Sequence, residues 1–234
     1  MNLYQAISKR KSCRAFSEKP LHQAKLREIG EVIEDFMTLY PDVTLKWRLA
    51  EKMKGPFKVK APHYLIISGQ GKAGEAESAG FIFQQLFLWF NLNGIGSVWL
   101  GGPKDVNKTV EDIVAMAFGE PKETIERTLS EFKRKPIEGI TNSPDDPLIR
   151  AVHLAPSGIN LQPWYLEKTD NKVLLYEKLL KPPISLMYKL TEVDMGIALC
   201  HYALACKEYN KPFNFKRSDE KGEKKGYKLF GELS

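Results

Sequence analysis

Cysteine is scarce in these 234 residues: Cys13, Cys200 and Cys206 make an odd three with no CxxC pair. That excludes the disulfide framework of a small secreted domain and a structural zinc site, and it makes a reducing cytoplasm the expected setting. Histidine is also sparse. His22, His63, His153 and His201 are scattered with no HExxH pair, so no catalytic metal set assembles. Cys200 and His201 adjoin inside an apolar stretch, where a small buried thiol is the expected reading. Cys13 stands among cations that would lower its pKa, but no base adjoins it, so cysteine catalysis is not expected. Long hydrophobic runs are missing too. Residues 81–92 come nearest, yet they hold Gln84, Gln85 and Asn91 and fall short of the ~20 apolar residues that span a bilayer. Met1–Gln5 lacks the charged-then-apolar pattern of a secretory leader, so no membrane partner is expected.

At 43% hydrophobic and 27% charged, the composition is that of an ordinary globular chain. At ~150 residues per domain the length leaves one large domain or two small lobes open. The net charge of +6 is local. Residues 9–14 carry Lys9, Arg10, Lys11 and Arg14 with no acid, and 133–135 carry Lys133, Arg134 and Lys135. Residues 207–228 add eight basic side chains against four acids. The rest of the chain is therefore net acidic. A nucleic-acid binder would show aromatic-interleaved basic stripes, whereas two compact clusters suit a small phosphate.

Helical spacing predicts a short helix over 3–8, an amphipathic one over 21–40 and apolar ones over 81–92 and 194–209, with further helices over 110–118 and 148–154. Strands are expected over 64–67, 97–100, 164–167 and 173–176, and a C-terminal hairpin over 213–216 and 227–230 with a solvated, lysine-bearing edge. Residues 141–147 combine turn formers and two prolines with no apolar side chain. They read as a linker, which places a first lobe over 1–142 and a second over 143–234. Two echoes support related lobes: Pro62-His63-Tyr64-Leu65 with Pro163-Trp164-Tyr165-Leu166, and Ser78-Ala79-Gly80-Phe81 with Asp194-Met195-Gly196-Ile197.

Gly69-Gln70-Gly71-Lys72-Ala73-Gly74 matches GxGxxG after a predicted strand. No ribose-binding acid follows at the required distance, and Glu75 and Glu77 would repel a pyrophosphate. A flexible turn is the preferred reading and a Rossmann site the weaker one. Two motifs are stronger. Arg10-Lys11-Ser12-Cys13-Arg14-Ala15-Phe16 brings paired guanidinium donors and a hydroxyl to the end of a short helix, a phosphate clamp or else a solvated basic turn. Ala155-Pro156-Ser157-Gly158-Ile159-Asn160-Leu161-Gln162-Pro163-Trp164 packs short polar groups into one loop, a ligand-binding loop or else a capped turn.

These residues resemble the nitroreductase superfamily of flavin enzymes. The first motif looks like that family's N-terminal arm and the second like its Ala-Pro-Ser-x-x-Asn-x-Gln-Pro-Trp loop. Asn93–Gly102, Phe118–Pro121 and Lys133–Pro136 match further. In an ordinary member the loop follows the arm closely, and FMN lies between the arm of one subunit and the loop of its partner. Here the loop appears only in the second lobe, which lacks an arm. The resemblance therefore implies an α+β chain of two related nitroreductase-like lobes, antiparallel-rich sheets flanked by helices, folded as an intramolecular pseudo-dimer with one surviving flavin site. A monomer would suffice.

By the same resemblance, Arg10, Lys11, Ser12 and Arg14 would bind the FMN phosphate and the flavin's polar edge, helped by Lys133 or Arg134. Pro156, Ser157, Gly158, Asn160 and Gln162 would hold the other side of the ring or the ribityl chain. Backbone donors at Leu100, Gly101 and Gly102 would face the ring. NAD(P)H would reduce the flavin and a nitroaromatic, quinone or similar flat acceptor would reoxidise it, with no protein side chain as catalyst. The alternatives are an FMN-storing or sensing module without turnover and, less favoured, a Rossmann-type or nucleic-acid-binding protein.

Overall fold

The computed structural model describes residues 2–54, 59–101, 104–105, 111–218 and 224–234. Its first half runs α1 (Tyr4–Ile7), α2 (Gln23–Glu34), β1 (Lys46–Ala50), β2 (Met53–Lys54), β3 (His63–Ser68), α3 (Glu75–Leu92), β4 (Gly96–Leu100), β5 (Lys104–Asp105) and β6 (Asp112–Gly119). The second runs α4 (Pro147–His153), β7 (Trp164–Lys168), β8 (Val173–Lys178), α5 (Ile184–Met187), α6 (Thr191–Glu208), β9 (Phe215–Arg217) and β10 (Tyr227–Leu233).

Two antiparallel four-stranded sheets result, ordered β1-β3-β6-β4 and β7-β8-β10-β9. In both, the spatial order is first, second, fourth, third in the chain. In both, the long helix, α3 or α6, connects the second strand to the third. The chain therefore repeats one topology, and the fold is α+β with two related units.

Alternation along the strands sets the layers. Leu65 and Ile67 of β3 and Val114, Met116 and Phe118 of β6 face the main core, while Tyr64, Ile66, Ala115 and Ala117 face a second cluster with Cys13 and Phe16 of the N-terminal arm. The main core is continuous across the two sheets, taking in Trp164, Leu175 and Phe230 as well. This explains β6, which the apolar run 110–118 had predicted as a helix. A strand buried on both faces has no polar positions to reveal its period, but its alternation of large residues and alanine matches two layers of unequal depth.

The central helices α3 and α6 cross at two glycines. A Cβ on Gly80 would collide with the Val193 carbonyl, and one on Gly196 with the Glu77 carbonyl. Each glycine thus meets the residue three before the other, the reciprocity of a two-fold contact. Across this crossing runs a buried polar chain. Trp99 Nε1 donates to Gln84 Oε1 (3.0 Å), which turns the Gln84 amide nitrogen toward His201 Nε2 (3.0 Å) and leaves His201 Nδ1–H to donate to the Ala151 carbonyl (2.9 Å). Burial pushes the His201 pKa down to about 3, so the ring serves as a neutral link between the halves.

Three sequence expectations change. Residues 141–147 are an ordered connection: Asn142 exchanges hydrogen bonds with the Lys168 backbone, and the buried Asp146 caps α4 through the Leu148 and Ile149 amides, with Pro147 in the first turn. Of the two echoes, the glycine pair occupies equivalent places, but His63–Leu65 lies on the second strand of its sheet and Trp164–Leu166 on the first of the other, so that echo is coincidental. In the C-terminal hairpin β9 is an edge strand, whereas β10 is interior, with Phe230 and Leu233 in the main core.

Candidate functional site

The loop after α4 is held in a conformation its side chains do not prefer. Ile159, Asn160 and Gln162 have φ of 49°, 57° and 45°. Asparagine tolerates this region, but a β-branched isoleucine there is a true outlier, and such residues cost about 1–3 kcal/mol each. Ile159 is also 66% exposed, so packing does not impose its conformation. The polar neighbours do. Ser157 Oγ accepts from the Gln162 amide (2.8 Å), and Gln162 Oε1 accepts from the Lys135 amide (2.9 Å). Gly158 N–H donates to Asp194 Oδ1 (2.9 Å), and Tyr188 Oη–H donates to Asp194 Oδ2 (2.6 Å). Burial raises the Asp194 pKa to about 8 against the pull of these two donors, and burial beside that carboxyl raises Tyr188 as well. A Cβ at Gly158 would strike the Tyr188 ring, so a side chain there would push Tyr188 away from Asp194.

Against this loop converge arginines from distant parts of the chain. Arg10, 1% exposed, and Arg134 both donate to the Leu154 carbonyl at 3.1 Å. Arg134 Nη1 also donates to Asn160 Oδ1 (2.8 Å), and Arg127 Nε donates to the Arg10 carbonyl (3.0 Å). Their guanidinium groups surround the Phe132 ring, with Arg127 at 4.1 Å, Arg134 at 5.5 Å and Arg10 at 5.7 Å from its centroid. Burial, then mutual repulsion, lowers Arg10 well below its ordinary pKa and Arg134 to about 10; Arg127, also lowered by burial, feels Glu131 and Arg14 as well. Among the described residues no ion pair neutralises Arg10, Arg14, Arg127 or Arg134. Arg10 Nε and Arg134 Nε are buried without a hydrogen-bond partner. A donor-rich, acid-poor cluster with orphaned N–H groups fits a phosphate monoester.

The other predicted site residues fall around this centre. Lys11 and Arg14 are anchored by backbone, to the Ile125 carbonyl (2.7 Å) and the Glu123 carboxylate (2.6 Å), leaving the Arg14 side chain exposed. Ser12 and Pro156 are half-buried. Lys133 is exposed, and its carbonyl accepts from Asn160 Nδ2 (2.8 Å). Leu100 is buried in the second cluster, Gly101 lies against Leu190, and Gly102 is outside the described residues. The structure thus brings Arg10, Arg134, Asn160, Ser157, Gly158 and Gln162 into one network. Gly101 is linked to it through the segment that holds Tyr188 and Leu190.

Two sequence readings are corrected. Gly158, expected to hold the ring or the ribityl chain, has its N–H already used by Asp194. Cys13, read as a cysteine of lowered pKa, is buried, and burial pushes its thiol up. The GxGxxG turn is occupied by its own side chain, since the Glu75 carboxylate accepts from the Gln70, Gly71 and Lys72 amides (2.8–3.0 Å). The N–H groups a pyrophosphate would need are taken, which removes the Rossmann alternative. Arg127, Tyr188 and Asp194 were missed, being isolated in sequence and informative only through their contacts. Among the described residues no group of three His, Cys, Asp or Glu is placed to hold a metal, and no helix is long and apolar enough to cross a membrane.

Comparison with known proteins agrees with this architecture. No curated protein matches the sequence. A crystal structure of a putative nitroreductase from Thermotoga maritima superposes with a TM-score of 0.70 at 21% identity, covering 100% of this chain and 93% of that one. A nitroreductase family protein from Clostridium difficile covers 59% of this chain and 96% of its own at 16% identity and a TM-score of 0.47. An FMN-dependent nitroreductase from Clostridium difficile covers 55% and 93% at 16% identity and 0.45. The family model described as putative TM nitroreductase matches residues 2–206, and the chain belongs to that family.

Proposed function

We propose that this chain is an FMN-dependent oxidoreductase that takes electrons from NAD(P)H and passes them to a nitroaromatic, quinone or similar flat acceptor. The observation that carries the reading is the unneutralised arginine cluster joined to the strained loop 157–162. Family membership agrees with it.

Arg134 and Arg127, with Lys11, Ser12 and Arg14 along the arm, would bind the phosphate, and Arg10 would reinforce their field from beneath. Pro156, Ser157, Asn160 and Gln162 would form the opposite wall, with Lys133 at its rim and Leu100–Gly101 across from it. Asp194 and Tyr188 hold that wall in place through Gly158. FMN, when bound, supplies the two-electron chemistry that side chains lack. The fixed cations favour the negative charge that reduction adds, because their orientation is set before the charge appears. Proposed with this is a boundary near 142/143 between two related lobes that pack as a pseudo-dimer, supported by the shared strand order and the Gly80–Gly196 crossing.

Flavin fluorescence quenching tests the reading. The purified chain should bind FMN and be reduced by NADH or NADPH under anaerobic conditions. Arg134→Ala, removing a charge-assisted donor, should weaken binding by roughly 10- to 100-fold. Absence of quenching by the wild-type chain with excess FMN would overturn the proposal.

A further inference from the structure

One exposed segment is left unused by this reading. Between β8 and α6, Leu186 and Met187 of α5 are 71% and 84% exposed, and Leu179 and Ile184 of the same segment are exposed too. Single exposed apolar residues are normal, but four on one short projection are not. Residues 178–190 hold three lysines, Lys178, Lys181 and Lys189, all exposed, and no acid. The Leu179 amide bonds to the Gly226 carbonyl (2.9 Å), which ties the start of the segment to the C-terminal hairpin, where Lys224 lies over the Tyr165 ring (3.5 Å). An exposed apolar tip flanked along the chain by three lysines is the result.

We infer that this tip docks the protein on an anionic bilayer surface, a peripheral contact that the missing leader and spanning run, from which no membrane partner was expected, do not bear on. Apolar side chains that protrude enter the boundary between headgroups and acyl chains, and flanking lysines gain from anionic headgroups within a Debye length. Self-association fits the patch poorly. A two-fold contact would set this face against itself, lysine against lysine, with no acid in 178–190 to offset them. The segment also touches both walls of the candidate site, through Tyr188 to Asp194 and Gly158 and through Leu190 to Gly101. Docking would therefore occur at the rim of the site, though it does not depend on a flavin being there.

Vesicle flotation of the full chain tests this without reference to flavin. Vesicles of phosphatidylcholine with about one-third phosphatidylglycerol should carry the wild type upward at ~0.1 M salt, pure phosphatidylcholine should not, and salt at ~0.5 M should weaken the effect. Leu186→Ser/Met187→Ser should lose at least ~10-fold in partitioning, given what burying two such side chains contributes. Lys178→Glu/Lys181→Glu/Lys189→Glu should abolish flotation. All substituted residues are exposed, and unchanged thermal unfolding serves as the folding control. No flotation of the wild type, or flotation unaffected by Leu186→Ser/Met187→Ser, would overturn the inference. So would a concentration-dependent dimer that the same pair of substitutions dissolves in the absence of vesicle binding, which would assign the patch to a second copy of the chain.

Discussion

Asp194 shows how one buried side chain couples the site to pH. Its carboxyl holds the loop through Gly158 and is raised by burial to about 8, with Glu177 adding repulsion. A group whose folded pKa lies above its unfolded value favours the fold below the unfolded pKa, and that advantage is lost as pH rises through the folded one. The chain should therefore lose stability between about pH 4 and pH 8 on account of this residue, by more than about 1 kcal/mol. Asp194→Asn, which cannot ionise, should flatten that slope; urea unfolding at both ends of the range measures it, and an unchanged slope would reject the assignment. At the same scale Glu75 can be read only from contacts. The sequence shows a glycine-rich turn followed by an acid, but not that the acid folds back onto three amides of the turn.

At the scale of elements, the crossing of α3 and α6 is the most constrained contact. Both helices are apolar nearly all round, as a helix buried on every side must be. Their glycines, by contrast, gave no warning of what they approach. Gly80→Ala and Gly196→Ala each press a methyl onto a backbone carbonyl that cannot rotate away, and each should cost about 2–3 kcal/mol in chemical denaturation. If the crossing is a pseudo-two-fold contact, the two losses should be similar. β6 marks the limit of legibility at this scale: an apolar run buried on both faces looks the same as a buried helix until its neighbours β3 and β4 are known.

Across the whole molecule, the arm and the loop are far apart in the chain, and Arg10 meets the Leu154 carbonyl across 144 residues. Under the proposed function, one chain supplies both sides of a single site. FMN should bind at one equivalent per chain in calorimetry, and at ~100 times its Kd should add about 2.7 kcal/mol to stability. Two equivalents would mean that the second lobe keeps a site of its own, despite lacking an arm.

The two motifs carried the family resemblance, which implied the α+β class, and hydrophobic spacing gave most elements, because these depend on local pattern and on residue chemistry carried in short segments. The linker's capping role, the occupied glycine turn, the interior place of β10 and the company Arg127, Tyr188 and Asp194 keep were decided only by tertiary structure. Each depends on which distant group comes within hydrogen-bond or van der Waals reach, and no spacing along the chain encodes that. The scarcity of cysteine and histidine removed metal and thiol chemistry from the sequence reading. Under the proposed function, the arginines that have no ion-pair partner among the described residues, visible as such only in three dimensions, would give the site its affinity for an anion.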